Sequence, residues 1–438
     1  MVHRNLAEVS EEELLTELAR RRVERLGGTA QTAEVASEGL ADAVSRQTFE
    51  HWLVTESRRE SVQPQPCPRC GKATPMRAGA RERVLRAVSG EVRFRRNYHY
   101  CEACKAGFYP LDERLKLPER GDLTPEMERR LLDLGVHDTF EQAAARWGVH
   151  YATTVSENLV RRVVERQGRL LEAADLDAVQ REALPEPAPA ELLYVQVDGG
   201  MVPTRGDDAW REVKLGLVAR QDCHVSWREA PRGRISQARY AAHLGGVDVF
   251  RGRLDALLRA EKADQVDAVV WVGDGAPWIW NIADELCPNA VQVLDWYHAI
   301  EAVCEAAKAI FGPHERTAQP FVARIKHLLR TGDVAVAIEE LEACLFVPAS
   351  APAKRALKNL IRYFTNNAVR MDYLALEAQG YPIGSGFVEA ANKHVIQARM
   401  KLAGQHWSPE RADRMASLRA LLSTTGPPRL HDVIARAA

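Results

Sequence analysis

Tyr194-Val195-Gln196-Val197-Asp198-Gly199-Gly200 is an apolar run that ends on a carboxylate followed by two glycines. A short apolar run rich in β-branched residues and bounded by a turn dipeptide reads as a buried strand. Asp-Gly also opens turns, so Asp198 alone decides little. The pattern recurs in Ala268-Val-Val-Trp-Val-Gly-Asp274-Gly, again an apolar strand, an Asp and a Gly. A third carboxylate, Glu389, closes Gly384-Ser-Gly-Phe-Val-Glu389 at the head of a periodic helix. Ser385 reads as its N-cap, and Val388, Ala391 and Val395 fall at i, i+3 and i+7 as the face turned to the sheet. Two strand-end aspartates and a helix-borne glutamate form an acidic triad in chain order. An exposed Glu389 paired with Lys393 is the plainer alternative for the third member.

Outward from Asp198, strands are expected at Leu192–Val197, Trp210–Ala219 and Cys223–Glu229. A helix should span about 236–260, with Tyr240, Leu244, Leu254, Leu257 and Leu258 apolar. A strand ending at Asp274, a helix around Trp278–Leu286 and a strand Ala290–Leu294 ending at Asp295 complete the order β-β-β-α-β-α-β. That is the ribonuclease H-like arrangement, a mixed α/β sheet with an antiparallel edge. In it the first and fourth strands are neighbours, about 4.8 Å apart, so Asp198 and Asp274 meet while Asp295 lies one strand further out. Such carboxylates suit hard cations. Two Mg²⁺ (or Mn²⁺) ions on Asp198, Asp274 and Glu389 would serve in-line phosphodiester displacement.

The 438 residues suffice for several domains, and 46% hydrophobic with 27% charged residues describes a globular chain. No transmembrane run or secretory h-region is evident, which points to the cytoplasm and no membrane partner. The net charge of -1 hides local excess. Nine Lys/Arg face three Glu between Cys67 and Cys104, and six face two acids from Lys393 to Arg419. Both stretches are candidates for phosphate contact.

Cys67-Pro-Arg-Cys70 and Cys101-Glu-Ala-Cys104 bracket two alternating stretches joined by a Ser89-Gly90 turn. Two knuckles around a hairpin describe a zinc ribbon whose closed four-thiolate site would be structural. Further on, Phe140–Trp147, Gly148-Val-His and a helix carrying Val155, Leu159, Val160 and Val163 read as a helix-turn-helix. Its second helix would show Thr153, Thr154, Glu157, Asn158 or Arg161 to base edges; an ordinary helical hairpin looks the same. The domains expected are a helical region 1–60 opened by the capping box Ser10-Glu-Glu-Glu13 with Leu14, Leu15, Leu18 and Leu26 apolar, and a zinc ribbon 61–117. They continue with a helix-turn-helix domain 118–183, a Pro-rich linker 184–190, a catalytic domain 191–299, an all-α insertion 300–380, and returning helices with a tail, 381–438.

Together these residues resemble the bacterial DDE transposases of the ISKra insertion-sequence family, relatives of the Mutator-like transposases. The resemblance rests on Cys101-Glu-Ala-Cys104-Lys-Ala-Gly-Phe-Tyr-Pro-Leu-Asp112, Val197-Asp198-Gly199, Gly273-Asp274-Gly275-Ala276 and Val293-Leu-Asp295-Trp-Tyr-His298. It continues through Tyr363-Phe-Thr-Asn-Asn-Ala-Val-Arg-Met-Asp-Tyr373 and, most specifically, Pro382-Ile-Gly-Ser-Gly-Phe-Val-Glu389-Ala-Ala-Asn-Lys393 with Arg399-Met-Lys401 and Trp407-Ser408. It implies Asp198, Asp274 and Glu389 as the catalytic triad, with Asp295 and His298 as a possible accessory pair. The double-stranded DNA of element ends and target would be the partner, contacted through Arg93, Arg95, Arg96, Thr154, Asn158, Arg161, Lys393, Arg399 and Lys401. A homo-oligomer, dimer or higher, would act on that DNA in the bacterial cytoplasm at the nucleoid. A nuclease or resolvase that cuts without joining, and a domesticated DNA-binding descendant, are the alternatives.

Overall fold

Ser10 and Glu13 cap each other at the start of α1 (Glu11–Val23): Ser10 N donates to Glu13 Oε2 at 3.0 Å and Glu13 N to Ser10 Oγ at 3.2 Å. That reciprocal pairing satisfies two of the donors a helix start leaves open. Leu14, Leu15 and Leu18 on α1 are exposed. The computed structural model describes residues 9–23, 28–118, 121–151, 153–206, 208–225, 234–312, 315–346 and 350–437, so Leu26 falls outside them. Two compact units divide the chain: Met1–Leu134 with Phe140–Val160, and Gly135–Thr139 with Arg161–Ala438.

In the first unit α2 (Ala30–Arg58) lays Leu53 and Phe49 on a hairpin core of Leu85, Val92, Phe94 and Leu111. The short pair β1 (Gln65–Pro66) and β2 (Ala73–Thr74) precedes an antiparallel three-stranded sheet. Its strands are β3 (Met76–Ala87), β4 (Gly90–Cys101) and β5 (Ala106–Phe108). Ala87 faces Gly90, so the turn residues are Val88 and Ser89 rather than Ser89-Gly90. The helix α3 (Pro110–Arg114) follows.

The next helices are α4 (Pro125–His137), α5 (Phe140–His150), α6 (Glu157–Ala173) and α7 (Leu176–Ala183). The turn expected at Gly148-Val-His is instead the last turn of α5. A single glycine weakens a helix without ending it. Leu159 N donates to Ser156 Oγ, which sets the start of α6 and leaves Val155 ahead of it. The division between units falls inside α6, between Val160 and Arg161.

The second unit is built on β6 (Leu192–Pro203), β7 (Trp210–Arg220), the small pair β8 (His224–Val225) and β9 (Arg234–Ile235), β10 (Arg239–Leu244), β11 (Ala268–Gly273) and β12 (Val291–Leu294). The five-stranded sheet has order β10-β7-β6-β11-β12, with β10, β7 and β6 antiparallel and β6, β11 and β12 parallel. Leu192–Val197 is buried throughout, as a strand covered on both faces requires.

Two strand expectations need correction. Residues 236–244 were expected to open a helix, yet Arg239–Leu244 is an edge strand on β7, and the helix α8 (Val247–Ala260) starts only after Gly245-Gly246. Ladder pairing with β7 overrides the helical preference of an Ala-containing stretch, and Gly245 at φ 143° supplies the break. Of the strand expected at 223–229, only His224–Val225 is extended among the described residues; 226–229 lie outside them.

Helices α9 (Pro277–Leu286), α10 (Trp296–Phe311), α11 (Glu315–Arg330), α12 (Val334–Ala343), α13 (Ala351–Asn367) and α14 (Tyr373–Ala378) follow. Leu257, Ile279, Trp271, Val303, Leu329, Leu360 and Phe364 belong to one buried core shared by sheet and helices. The chain ends with α15 (Gly386–Ala391), a π-helical turn Asn392–Gln397, α16 (Ala398–Met400), α17 (Pro409–Thr425) and α18 (Leu430–Ala437).

Candidate metal centre and active site

The four thiols of the first unit converge although 31 residues separate the two pairs (101−70). Cys67 and Cys104 Sγ are 3.9 Å apart, Cys70 and Cys101 Sγ 3.7 Å, and all four lie within 4.8 Å of one another. Tetrahedral zinc with Zn–S bonds of about 2.3 Å sets its sulfurs about 3.8 Å apart, so the donor set fits. The backbone builds the first knuckle: Gly71 N donates to Cys67 O at 2.8 Å, with Gly71 at φ 71°. A backbone N–H from Cys104 lowers the Cys101 thiol, while the neighbouring thiols push Cys104 up, so the crowded sulfurs share a negative charge that a bound cation would relieve. Buried His99 bonds the Thr74 carbonyl at 3.0 Å and braces β2 against β4.

In the second unit the sheet order sets the carboxylates. β11 pairs with β6 in the register Val272↔Gln196 and with β12 in the register Gly273↔Leu294. Two residues on from that Val272↔Gln196 pair stand Asp274, just past the end of β11, and Asp198, which lies within β6 and not at the strand end expected after Val197; Asp295 follows the end of β12, the next strand out. β6 itself runs on past Asp198 to Pro203, paired with β7. Asp198 is half-buried; burial is the chief cause raising its pKa, and the charge of Asp274 adds to the rise. Asn392 Nδ2 at 2.8 Å and Gly199 N at 2.8 Å oppose it by stabilising the carboxylate. Asp274 accepts from Ala276 N at 2.8 Å, and Tyr363 Oη donates to the Asp274 carbonyl at 2.6 Å.

Asp295, only 1% exposed, accepts from Tyr297 N, from Ser385 N at 3.0 Å, from Ser385 Oγ at 2.7 Å and from His298 Nδ1. Burial works against its charge, but the His298 and Ser385 bonds outweigh burial and hold the carboxyl below its usual range. The hydrogen bond to Asp295 raises His298 to about 9 against desolvation, and Asp274 and Asp198 add to the rise. His298 thus ties the charge of Asp295 to the other two aspartates. Ser385 stands at the N-cap of α15, but its hydroxyl is spent on Asp295 rather than on the helix.

Glu389 is exposed and pairs with Lys393 at 2.6 Å. Among the described residues, the four cysteines are the group of three or more ligand side chains whose donor atoms gather closely enough to share an ion. The structure brings Asp198 and Asp274 together and sets Glu389 one helical turn before Asn392, the residue that touches Asp198.

Three side chains of this site carry no role in the sequence reading. Gln196, wholly buried on β6, donates to Gly384 O at 3.1 Å and accepts from Val388 N at 3.0 Å, pinning the start of α15 to the sheet. Asn392 reaches Asp198 because position 200 is glycine: a Cβ there would lie 2.7 Å from Asn392 Oδ1. Tyr363 is the third. A lone amide in an apolar run, two residues before Asp198 on the same strand face, was the available signal for Gln196. The carbonyls of His394 and Val395, in the π-helical turn, accept from the buried Arg419, which also bonds Val136 O. Such turns recur at functional sites.

The expected DNA contacts divide. Arg93 and Arg95 are exposed on β4, Arg93 in pairs with Glu82 and Glu91. Thr154 and Asn158 are exposed, while Thr153 is turned inward to Trp147 Nε1 and Val88 O. Arg161 is half-buried beside Glu165 at 3.9 Å. Lys393 and Lys401 are exposed, Lys401 5.8 Å from the Trp210 ring centroid. Two assignments are corrected. Arg399 is 1% exposed and bonds the Gly135 carbonyl, and Arg96 is held against Asp112 and the Tyr109 ring. Their guanidinium groups are engaged inside the fold, which takes them away from phosphate.

The fold and sites define a mixed α/β chain with a four-cysteine centre and an aspartate pair at matching positions of adjacent parallel strands. The chain belongs to an uncharacterised protein family, UPF0236, whose profile matches residues 77–429. No curated protein matches it. Among solved structures, a Drosophila P element transposase strand transfer complex aligns at 11% identity over 73% of this chain and 96% of that one. The TM-score is 0.33.

Proposed function

We propose that this chain is a DNA transposase of a bacterial insertion sequence, with a ribonuclease H-like catalytic core, a zinc ribbon and a helix-turn-helix. It would bind the element ends, cleave phosphodiester bonds and join 3′-hydroxyls to target DNA. The observation that supports this most is Asp198 on β6 and Asp274 just past the end of β11 at matching positions of neighbouring parallel strands, each steadied by a backbone N–H. Asp198, Asp274 and Glu389 would hold the divalent ions, Mg²⁺ or Mn²⁺, which supply activation of the attacking oxygen and stabilisation of the leaving one. Asn392 orients the Asp198 carboxylate, Gln196 seats the helix that carries Glu389, and His298, held as a cation by Asp295, puts a positive charge beside the aspartates. Glu389 would exchange Lys393 for an ion by a side-chain rotation, since its helix already starts on β6.

The test is incubation with Mg²⁺ and duplex DNA carrying the element ends, scored for nicking and joining. Asp198→Asn, Asp274→Asn and Glu389→Gln should each abolish both reactions while leaving end binding intact. Full cleavage by Glu389→Gln would remove it from the mechanism and leave a two-aspartate site. Cleavage without joining would favour a nuclease or resolvase. End binding with no cleavage by the wild type would favour a domesticated DNA-binding protein.

A further inference from the structure

Helix α13 carries Lys354, Arg355, Lys358 and Arg362 and no acidic residue. All four are exposed, and none forms an ion pair among the described residues. Beside it, α9 and α13 enclose an open cavity of about 390 Å³ lined by Trp280, Asn281, Asn359, Arg362, Tyr363 and Asn366. This volume lies in the range of about 300–1,000 Å³ typical of small-ligand sites. The amides of Asn281 and Asn366 have no protein partner among the described residues, while Asn359 is 3.4 Å from Arg362. The Arg370 guanidinium carbon lies 4.6 Å from the Trp280 ring centroid, and both side chains line the cavity. Asp284, the one carboxylate lining the cavity among the described residues, is engaged by Gln292.

The cavity adjoins the chain that leaves Asp274. Gly275, which follows Asp274, lines it, and Tyr363 donates to the Asp274 carbonyl from its wall. Cations along one side hold phosphates, and amides offer the donor–acceptor pairs that read base edges. A recess of this size admits one ring, and a duplex has no free ring to offer.

Resting on the function proposed above, we propose that this groove receives an unpaired nucleotide of the DNA strand at Asp198 and Asp274. The basic face of α13 would carry that strand's phosphates.

The experiment uses the full chain, fluorescent oligothymidylate of about 20 nucleotides, and a fully paired duplex of the same length. Asn366→Leu should weaken oligothymidylate binding about tenfold, the loss of one base-edge hydrogen-bonded pair, and leave duplex binding within about twofold of wild type. Lys358→Ala/Arg362→Ala should lower the slope of log affinity against log salt by about 1.4, two contacts at ~0.7 each. Circular dichroism checks that both surface variants fold. If wild type cleaves end DNA while both variants bind oligothymidylate normally, the groove is overturned and the catalytic reading stands. If the variants lose binding as expected but wild type never cleaves, the groove stands and the catalytic reading falls. A wild type that does not bind oligothymidylate overturns the groove outright.

Discussion

Replacing Asp295 by Asn should convert His298 from a cation to a neutral imidazole at neutral pH. In the wild type Asp295 Oδ1 accepts from the amides of Tyr297 and Ser385, and Oδ2 faces the Ser385 hydroxyl and His298 Nδ1. An asparagine can keep its oxygen on the two amides only by turning its NH₂ toward Ser385 and His298. The hydroxyl can accept by rotating, but His298 can accept only with Nδ1 bare. The rise of His298 from 6.5 to about 9 corresponds to ~3 kcal/mol of preference for the charged form. The imidazole is 37% exposed, so solvent screening leaves about 1–2 kcal/mol. A group raised on folding stabilises fully below its unfolded value and loses that contribution as pH climbs through the folded one. Wild-type stability should therefore fall between pH 6.5 and about 9 through this residue, and the variant should lack that slope. Losing the carboxylate charge as acceptor for the Ser385 and Tyr297 donors should cost a further ~1–2 kcal/mol at any pH in that window. Urea unfolding at pH 6.5, 7.5, 8.5 and 9.5, with NMR titration of the His298 ring, reads both effects. A variant whose His298 still titrates near 9 would refute the reasoning, because Asp274 and Asp198 would then be the main source of the shift.

Three further outcomes test other parts of the structure. One zinc per chain should be found by metal analysis, and Cys101→Ser should release it and unfold the β3–β4 module, as read by thiol reactivity with and without chelator. Arg419→Met should destabilise the second unit by about 2–5 kcal/mol, because the carbonyls of residues 136, 394 and 395 lose their donor in a buried place; an unchanged denaturation midpoint would contradict this. Gly275→Ala should cost about 2–4 kcal/mol, from positive-φ strain at 99° and a Cβ set 2.6 Å from the Tyr363 ring. The double variant with Tyr363→Ala should recover only the steric part in a double-mutant cycle.

Sequence alone carried the periodic and spaced features of this protein. Apolar runs and β-branching mark β6 and β11, because a strand covered on both faces must be apolar along its length. Paired cysteines mark the metal centre, because two knuckles must each offer adjacent thiolates. The capping box at Ser10 is legible because its bonds span three residues. What the tertiary structure decided is long-range. Arg239–Leu244 is a strand because β7 offers an edge, and no local propensity records that edge. Arg96 and Arg399 look like DNA contacts in a charge count, yet burial against Asp112 and the Gly135 carbonyl takes them away. Asn392 meets Asp198 across 194 residues (392−198) because Gly200 leaves room and Gln196 seats α15. Side-chain partners so distant in the chain leave no period in the sequence. They are set by which surfaces pack, and packing is a property of the whole fold rather than of any window within it.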